Sequence, residues 1–294
     1  KDAATMARLA GAALGVGASK MLVASTGIIG HPLPMAKIRA GIAAAAAQLG
    51  TGHDEDTLLA IMTTDTRPKS AVVQTRIGGK LVTVAGIVKG SGMSAPSMAT
   101  MIGVLTTDAA VAPAALHKAL RQAVAGSFNA ITVDSDTSTS DTVAVFASGA
   151  AGNRTLAAGS ADYRKFAAAL AEVCGELARA VVADGEGATK LVRIAVRGAR
   201  SDNEAEIAAK SVANSPLFKC AVHGGDPNWG RIAAALGKSA AKIDPQRLVI
   251  RIGGVTIFAR GTGRKFDLAK VETHLKGAEV DVACELGLGK GRFT

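Results

Sequence analysis

Three short segments gather hydroxyl, carboxylate and ammonium side chains among glycines, residue types that can supply a nucleophile, an anion cradle or a charge for a substrate. Lys89-Gly-Ser-Gly-Met-Ser-Ala-Pro-Ser-Met-Ala-Thr100 leaves an alternating apolar stretch, passes a glycine-rich turn and Pro96, and sets Thr100 before the apolar run Met101 to Leu105. Small residues around a hydroxyl leave the backbone approachable, which suits a nucleophile or an anion cradle. The pattern equally suits a strand-to-helix loop with Thr100 as the N-cap, and spacing alone favours that plainer reading. Ala24-Ser-Thr-Gly-Ile-Ile-Gly30 is a second glycine-bearing turn, after Met21 to Ala24 read as a short strand. Its backbone N–H groups and the Thr26 hydroxyl suit a developing oxyanion, although an ordinary turn is the simpler account. Asp184-Gly-Glu-Gly-Ala-Thr-Lys190 closes a long helical pattern and enters the apolar strand Leu191 to Val196. A helix C-cap accounts for Gly185 or Gly187. Capping leaves Glu186 unexplained: it suits a substrate ammonium, or is a solvated turn carboxylate.

Other signatures fail on inspection. Gly237-Lys238-Ser239 would end a phosphate-binding loop, but Ile232 occupies the upstream glycine position. Gly15-Val-Gly17 follows a helix and has Lys20 where the dinucleotide fingerprint needs its third glycine. Asp134, Asp136 and Asp141 begin like a calcium loop, yet Thr139 and Val145 replace its glycine and terminal glutamate. Cys220 and His223 have no matching second pair, so no metal is expected and His223 reads as a loop-orienting residue.

The elements that must position these segments follow from periodicity. Asp2 to Leu14 and Met35 to Leu49 read as helices. Ala71 to Ile77, Gly78-Gly79 and Lys80 to Val88 read as a β-hairpin, as do Arg247 to Ile252, Gly253-Gly254 and Val255 to Arg260. Val111 to Ala125 forms a helix with Pro113 near its start, and Ser160 caps another whose Phe166, Leu170, Val173, Leu177 and Val181 make one apolar stripe. Strands alternate with helices, giving an α/β architecture: a layered sandwich of sheets covered by helices.

The 294 residues are 48% hydrophobic but only 3% aromatic, with a formal charge of +10. That charge fits nucleic acid, an anionic membrane or acidic small substrates. Seven Phe, one Tyr and one Trp offer no stacking platform, so nucleic acid is not expected. Apolar runs such as Ile42 to Ala47 fall well short of the roughly 20 residues that span a bilayer. Cys174, Cys220 and Cys284 are too few and scattered for a disulfide framework, so a reducing, cytoplasmic location is expected.

In combination the segments resemble the ornithine acetyltransferase family, also called bifunctional glutamate N-acetyltransferase, of cyclic arginine biosynthesis. Matching stretches are Ala24 to Gly30, Ile61-Met-Thr-Thr-Asp-Thr-Arg-Pro-Lys69, Lys89 to Met101, Phe128-Asn129, Val133 to Thr142, Asp184 to Lys190, Asn214-Ser-Pro216 and His223-Gly-Gly-Asp-Pro-Asn-Trp-Gly-Arg231. The resemblance implies a self-cleaving fold related to D-aminopeptidases, cut between Ala99 and Thr100. Residues 1–99 would then be the α-chain portion and 100–294 the β-chain portion. It further implies Thr100 as nucleophile, Thr26 and Gly27 as the oxyanion hole, and Thr63, Lys89, Thr100 and Glu186 as substrate-binding residues, with Thr64 as an alternative to Thr63. The implied reaction moves acetyl from N-acetylornithine to glutamate, with acetyl-CoA as a further donor left open, no cofactor, and an α2β2 assembly. Family members carry an N-terminal portion and a C-terminal tail that this chain, which begins at Lys1, is expected to lack. Ser97 and Gly225 also depart from the family's usual residues. Two alternatives stand beside this reading: a self-processing aminopeptidase, which uses serine where Thr100 stands, and a non-enzymatic anion-binding scaffold.

Overall fold

The structure, a computed structural model, describes residues 1–92 and 101–294 in full and the backbone of residues 94–95 and 98–99. In chain order the first half comprises α1 (Asp2–Ala13), α2 (Met35–Ala47), α3 (Asp54–Ala60), β1 (Ser70–Ile77), β2 (Lys80–Lys89), β3 (Ser94–Ala95), β4 (Met98–Ala99), β5 (Ile102–Thr107), α4 (Pro113–Ala125), β6 (Thr142–Ala147) and α5 (Ala161–Ala183). The second half comprises β7 (Leu191–Ala199), α6 (Asp202–Ala213), α7 (Pro216–Gly224), α8 (Trp229–Gly237), β8 (Val249–Ile252), β9 (Val255–Ala259), β10 (Thr262–Gly263), α9 (Leu268–Lys276), β11 (Glu279–Glu285) and β12 (Gly291–Phe293).

Both expected hairpins form. At Gly78-Gly79 and Gly253-Gly254 the four φ angles are 54°, 78°, 55° and 78°, the double positive φ that lets a two-residue turn follow the twist of its strands. The first hairpin joins a four-stranded sheet of order β1-β2-β5-β6, antiparallel except for the β5–β6 pair. Helix α5 lies across β1 and β2. Its stripe Phe166, Leu170, Val173, Leu177 and Val181 is at most 1% exposed, and removing each such side chain from water stabilises the fold by about 1.5–3 kcal/mol. Ser160 caps the helix by accepting the Tyr163 N–H at 3.0 Å. The second hairpin joins a six-stranded sheet of order β10-β9-β8-β11-β7-β12, in which β7 and β11 run parallel.

Each sheet has its own apolar core, one built from residues between Ala71 and Val181 and one from residues between Ile194 and Leu286. The segment Asp184 to Lys190 joins them. Lys190 anchors this link to the second core: its ammonium donates to Val222 O at 2.7 Å and Leu275 O at 2.6 Å, at the C-terminal ends of α7 and α9, where helix dipoles favour a cation.

Three local expectations are corrected. Met21 to Ala24 forms no strand, having no ladder partner among the described residues. The chain after Thr100 enters β5 rather than a helix, so the strand-to-helix loop with an N-cap at Thr100 does not occur. Helix α5 ends on Asp184 rather than on a glycine cap. Within residues 1–62 Gly11 alone is buried, while Leu22, Ile28, Ile29 and Leu49 are largely exposed. Among the described residues no helix is long and apolar enough to cross a membrane.

Candidate active site

Strand β2 ends by carrying a charge into the interior. Lys89 is 1% exposed, and among the described residues the only hydrogen bond of its ammonium is a 3.4 Å contact to Thr63 Oγ1. Burial pulls its pKa below the usual lysine value, against the attraction of Asp65 and Asp141. A buried ammonium beside a hydroxyl is suited to receive a carboxylate or an oxyanion.

Beneath Lys89 lies an ionic chain. The Lys69 ammonium donates to Asp65 Oδ1 and to Asp184 Oδ2, both at 2.6 Å, and all three side chains are nearly inaccessible to water. Asp65 also accepts the N–H groups of Gly90 at 2.7 Å and Thr63 at 3.1 Å. Asp184 accepts the Thr66 N–H at 3.0 Å as well as the Thr66 hydroxyl. Burial raises the pKa of both carboxyls, but these donors outweigh it and hold both below the ordinary aspartate value.

The rim is hydroxylic and acidic. Thr64 Oγ1 and Ser91 Oγ lie 2.6 Å apart, and the Ser91 carbonyl accepts the Glu186 N–H at 2.8 Å. The Glu186 carboxylate rests against Gly92 so closely that a Cβ there would lie 2.6 Å from Oε1. Thr63, Thr64 and Glu186 are exposed, so the cluster opens to solvent above its buried Lys89 floor. Beyond Glu186, a cleft of about 530 Å³ runs between the two cores, walled by Ile131, Val133, Phe218 and Val222. His223 Nδ1 lies 3.2 Å from Thr189 Oγ1, in keeping with a loop-orienting role.

The structure therefore brings Thr63, Thr64, Lys89 and Glu186 together from three separate segments. Thr100 lies outside the described residues, as does the side chain of Ala99. The residue that follows is pinned: the Met101 N–H donates to Asp141 Oδ1 at 3.0 Å, and the Met101 carbonyl accepts the Thr142 N–H at 3.0 Å. Burial drives the Asp141 carboxyl up to about 6 despite that N–H and the nearby Lys89. Among the described residues no hydrogen bond links Thr26 or Gly27 to the cluster, and a Cβ at Gly27 would meet nothing within 4 Å, which leaves that backbone open to approach. Sequence reasoning missed Asp65, Lys69 and Asp141 as site residues. Asp65 and Lys69 sit inside the run Ile61 to Lys69 without any period to single them out, and Asp141 registered only as part of a failed calcium loop.

Known proteins share this arrangement of sequence. The profile described as the ArgJ family matches residues 1–294. The arginine biosynthesis bifunctional protein ArgJ of Symbiobacterium thermophilum is 51% identical over 294 residues, covering 100% of this chain and 73% of that protein. The protein of the same name from Geobacillus kaustophilus is 45% identical over 291 residues, covering 99% of this chain and 71% of its own length. Among solved structures, the arginine biosynthesis bifunctional protein argJ of Bacillus halodurans superposes with a TM-score of 0.62 at 38% identity, over 64% of this chain and 88% of that one.

Proposed function

Because this chain belongs to the ArgJ family, we propose that it catalyses the acetyl transfer of arginine biosynthesis, from N-acetylornithine to glutamate, through an acetyl ester on Thr100. The observation that carries the site assignment is the buried ammonium of Lys89, 3.4 Å from Thr63 Oγ1 and within the same cluster as Glu186. Lys89 binds the substrate carboxylate, and Glu186 receives the α-nitrogen at the rim.

The chain first cuts itself between Ala99 and Thr100, giving residues 1–99 and 100–294. The cut frees the α-amine of Thr100, whose reference pKa of about 7.7–8.0 lets it take the proton of its own hydroxyl near neutral pH. The Thr100 oxygen attacks the acetyl carbonyl, the carbon–nitrogen bond breaks, and ornithine leaves with the proton. The amine of glutamate then attacks the ester, and N-acetylglutamate departs as Thr100 regains its hydroxyl. Thr26 and Gly27 donate to the oxyanion in both steps, one such donor being worth about 2.7–4 kcal/mol of barrier.

The β2–β5 ladder, with Lys89 opposite Ile102, spans the proposed cut and supports pairing of the two pieces afterwards. Their assembly as α2β2 and a cytoplasmic location belong to the same proposal, the latter supported by three unpaired cysteines. The test is intact mass and acetyl exchange on the full chain. Two fragments meeting at Ala99 and Thr100, an uncut Thr100→Ala variant, and transfer of label from N-acetylornithine to glutamate are expected. A correctly folded wild type that stays whole and transfers nothing overturns the proposal. Acetyl-CoA supplied in place of N-acetylornithine decides whether a second donor is used.

A further inference from the structure

We propose that the buried chain Asp65–Lys69–Asp184 is the positioning device of this site, fixing the separation between Lys89 and Glu186. The inference rests on the site reading given above. Three segments carry the substrate-contacting candidates, and the ionic chain touches all three. Asp65 grips the backbone of Thr63 itself and of Gly90, the residue after Lys89. Asp184 lies two residues before Glu186 and is held to Thr66 by both the backbone and the hydroxyl. Among the described residues Lys69 is the one side chain bonded to both carboxylates, with Lys69 1% and the carboxylates 0% and 3% exposed at their side chains.

Stability alone does not account for three charges at this place. A buried ion pair recovers little more than its own desolvation, and apolar residues of similar volume often serve the fold as well or better. What charges with fixed donors provide is one defined arrangement, because any other leaves a buried charge unpaired. The β1–β2–β5 sheet positions Lys89, whereas Glu186 sits on the link between the two cores. Without the bridge Asp184 keeps its Thr66 donors and Glu186 its backbone hydrogen bond to Ser91, but the two buried carboxylates lose their shared counter-charge and repel, which loosens the separation between the two substrate-binding charges. None of the three side chains needs to touch substrate; they act through Thr63, Lys89 and Glu186.

A double-mutant cycle in steady-state acetyl exchange tests this, using Lys69→Met and Glu186→Gln in the full chain. Thr66→Val, which removes one hydroxyl from Asp184 and keeps the charges, serves as the milder partner should Lys69→Met fail to fold. Lys69→Met is expected to raise KM for N-acetylornithine at least tenfold with kcat within threefold. Glu186→Gln, damaging in the wild type, is expected to cost at least fivefold less in the Lys69→Met or Thr66→Val background, because Glu186 is already misplaced there. A Lys69→Met protein that melts earlier but keeps the wild-type KM, or effects that multiply independently in both backgrounds, overturns the positioning role while acetyl exchange by the wild type leaves the function standing. Absence of exchange by the folded wild type removes both.

Discussion

Asp141 Oδ1 accepts the Met101 N–H at 3.0 Å, so a carboxylate from the loop before β6 holds the first amide after Thr100. Burial raises this carboxyl to about 6, well above an unfolded aspartate near 3.9. The native state therefore binds more protons than the unfolded state between about pH 4 and 6. Any stability from Asp141 is fully present below the lower value and is lost as the pH rises through the upper one. Asparagine keeps the acceptor for Met101 and has no proton to lose. Asp141→Asn is expected to melt above the wild type at pH 8, by the equivalent of about 1–3 kcal/mol, with the advantage shrinking toward pH 4.5. Thermal unfolding at the two pH values checks it; a variant less stable than wild type at pH 8 refutes the burial argument.

Gly92 and Gly185 make opposite predictions from similar crowding. A Cβ at Gly92 meets the far end of a flexible side chain, the Glu186 carboxylate, at 2.6 Å. A Cβ at Gly185 meets Val133 Cγ1 at 2.9 Å and the Val182 carbonyl at 3.1 Å, in a packed helix end. Gly92→Ala is thus expected to displace Glu186, leaving the melting temperature nearly unchanged while KM for N-acetylornithine rises several-fold. Gly185→Ala is expected to destabilise by about 1–3 kcal/mol with KM close to wild type. Measuring melting curves and KM for both variants separates the two; a Gly92→Ala enzyme with unchanged KM removes Glu186 from substrate binding.

Periodic features were readable in the chain itself. The α5 stripe at Phe166, Leu170, Val173, Leu177 and Val181 and the two glycine-pair hairpins announce themselves through local spacing, and local spacing is what helices and antiparallel turns are made from. Met101 to Leu105 was ambiguous, because a short apolar run reads alike as strand or buried helix until its neighbours are known, here β2 and β6 on either side. The ionic chain was unreadable for a further reason. Lys69 and Asp184 are 115 residues apart and meet only because α5 returns the chain across β1 and β2. Glu186 stood out only as a carboxylate that capping leaves unexplained, and Thr63 and Lys89 were accessible as binding residues only through resemblance to a family, since no period marks a site built from three segments.

Lys89 carries the last prediction. Its ammonium is buried, its pKa is lowered chiefly by that burial, and its single contact among the described residues is long. A charge so placed contributes little to folding, because desolvation consumes what Asp65 and Asp141 return. Asp65 keeps Lys69, Gly90 and Thr63 as donors when Lys89 is removed, so no carboxylate is left without a partner there. Lys89→Met is therefore expected to fold with a melting temperature close to wild type. Its kcat/KM for N-acetylornithine should fall by about 100-fold or more, equivalent to about 2.7 kcal/mol of lost transition-state stabilisation. Lys89→Arg should recover little, since a guanidinium is larger than the ammonium it replaces, planar rather than compact, and would have to be buried at a position only 1% exposed. Kinetics on both variants beside their melting curves decide the matter: a Lys89→Met enzyme that transfers acetyl at the wild-type rate takes the substrate carboxylate away from this residue.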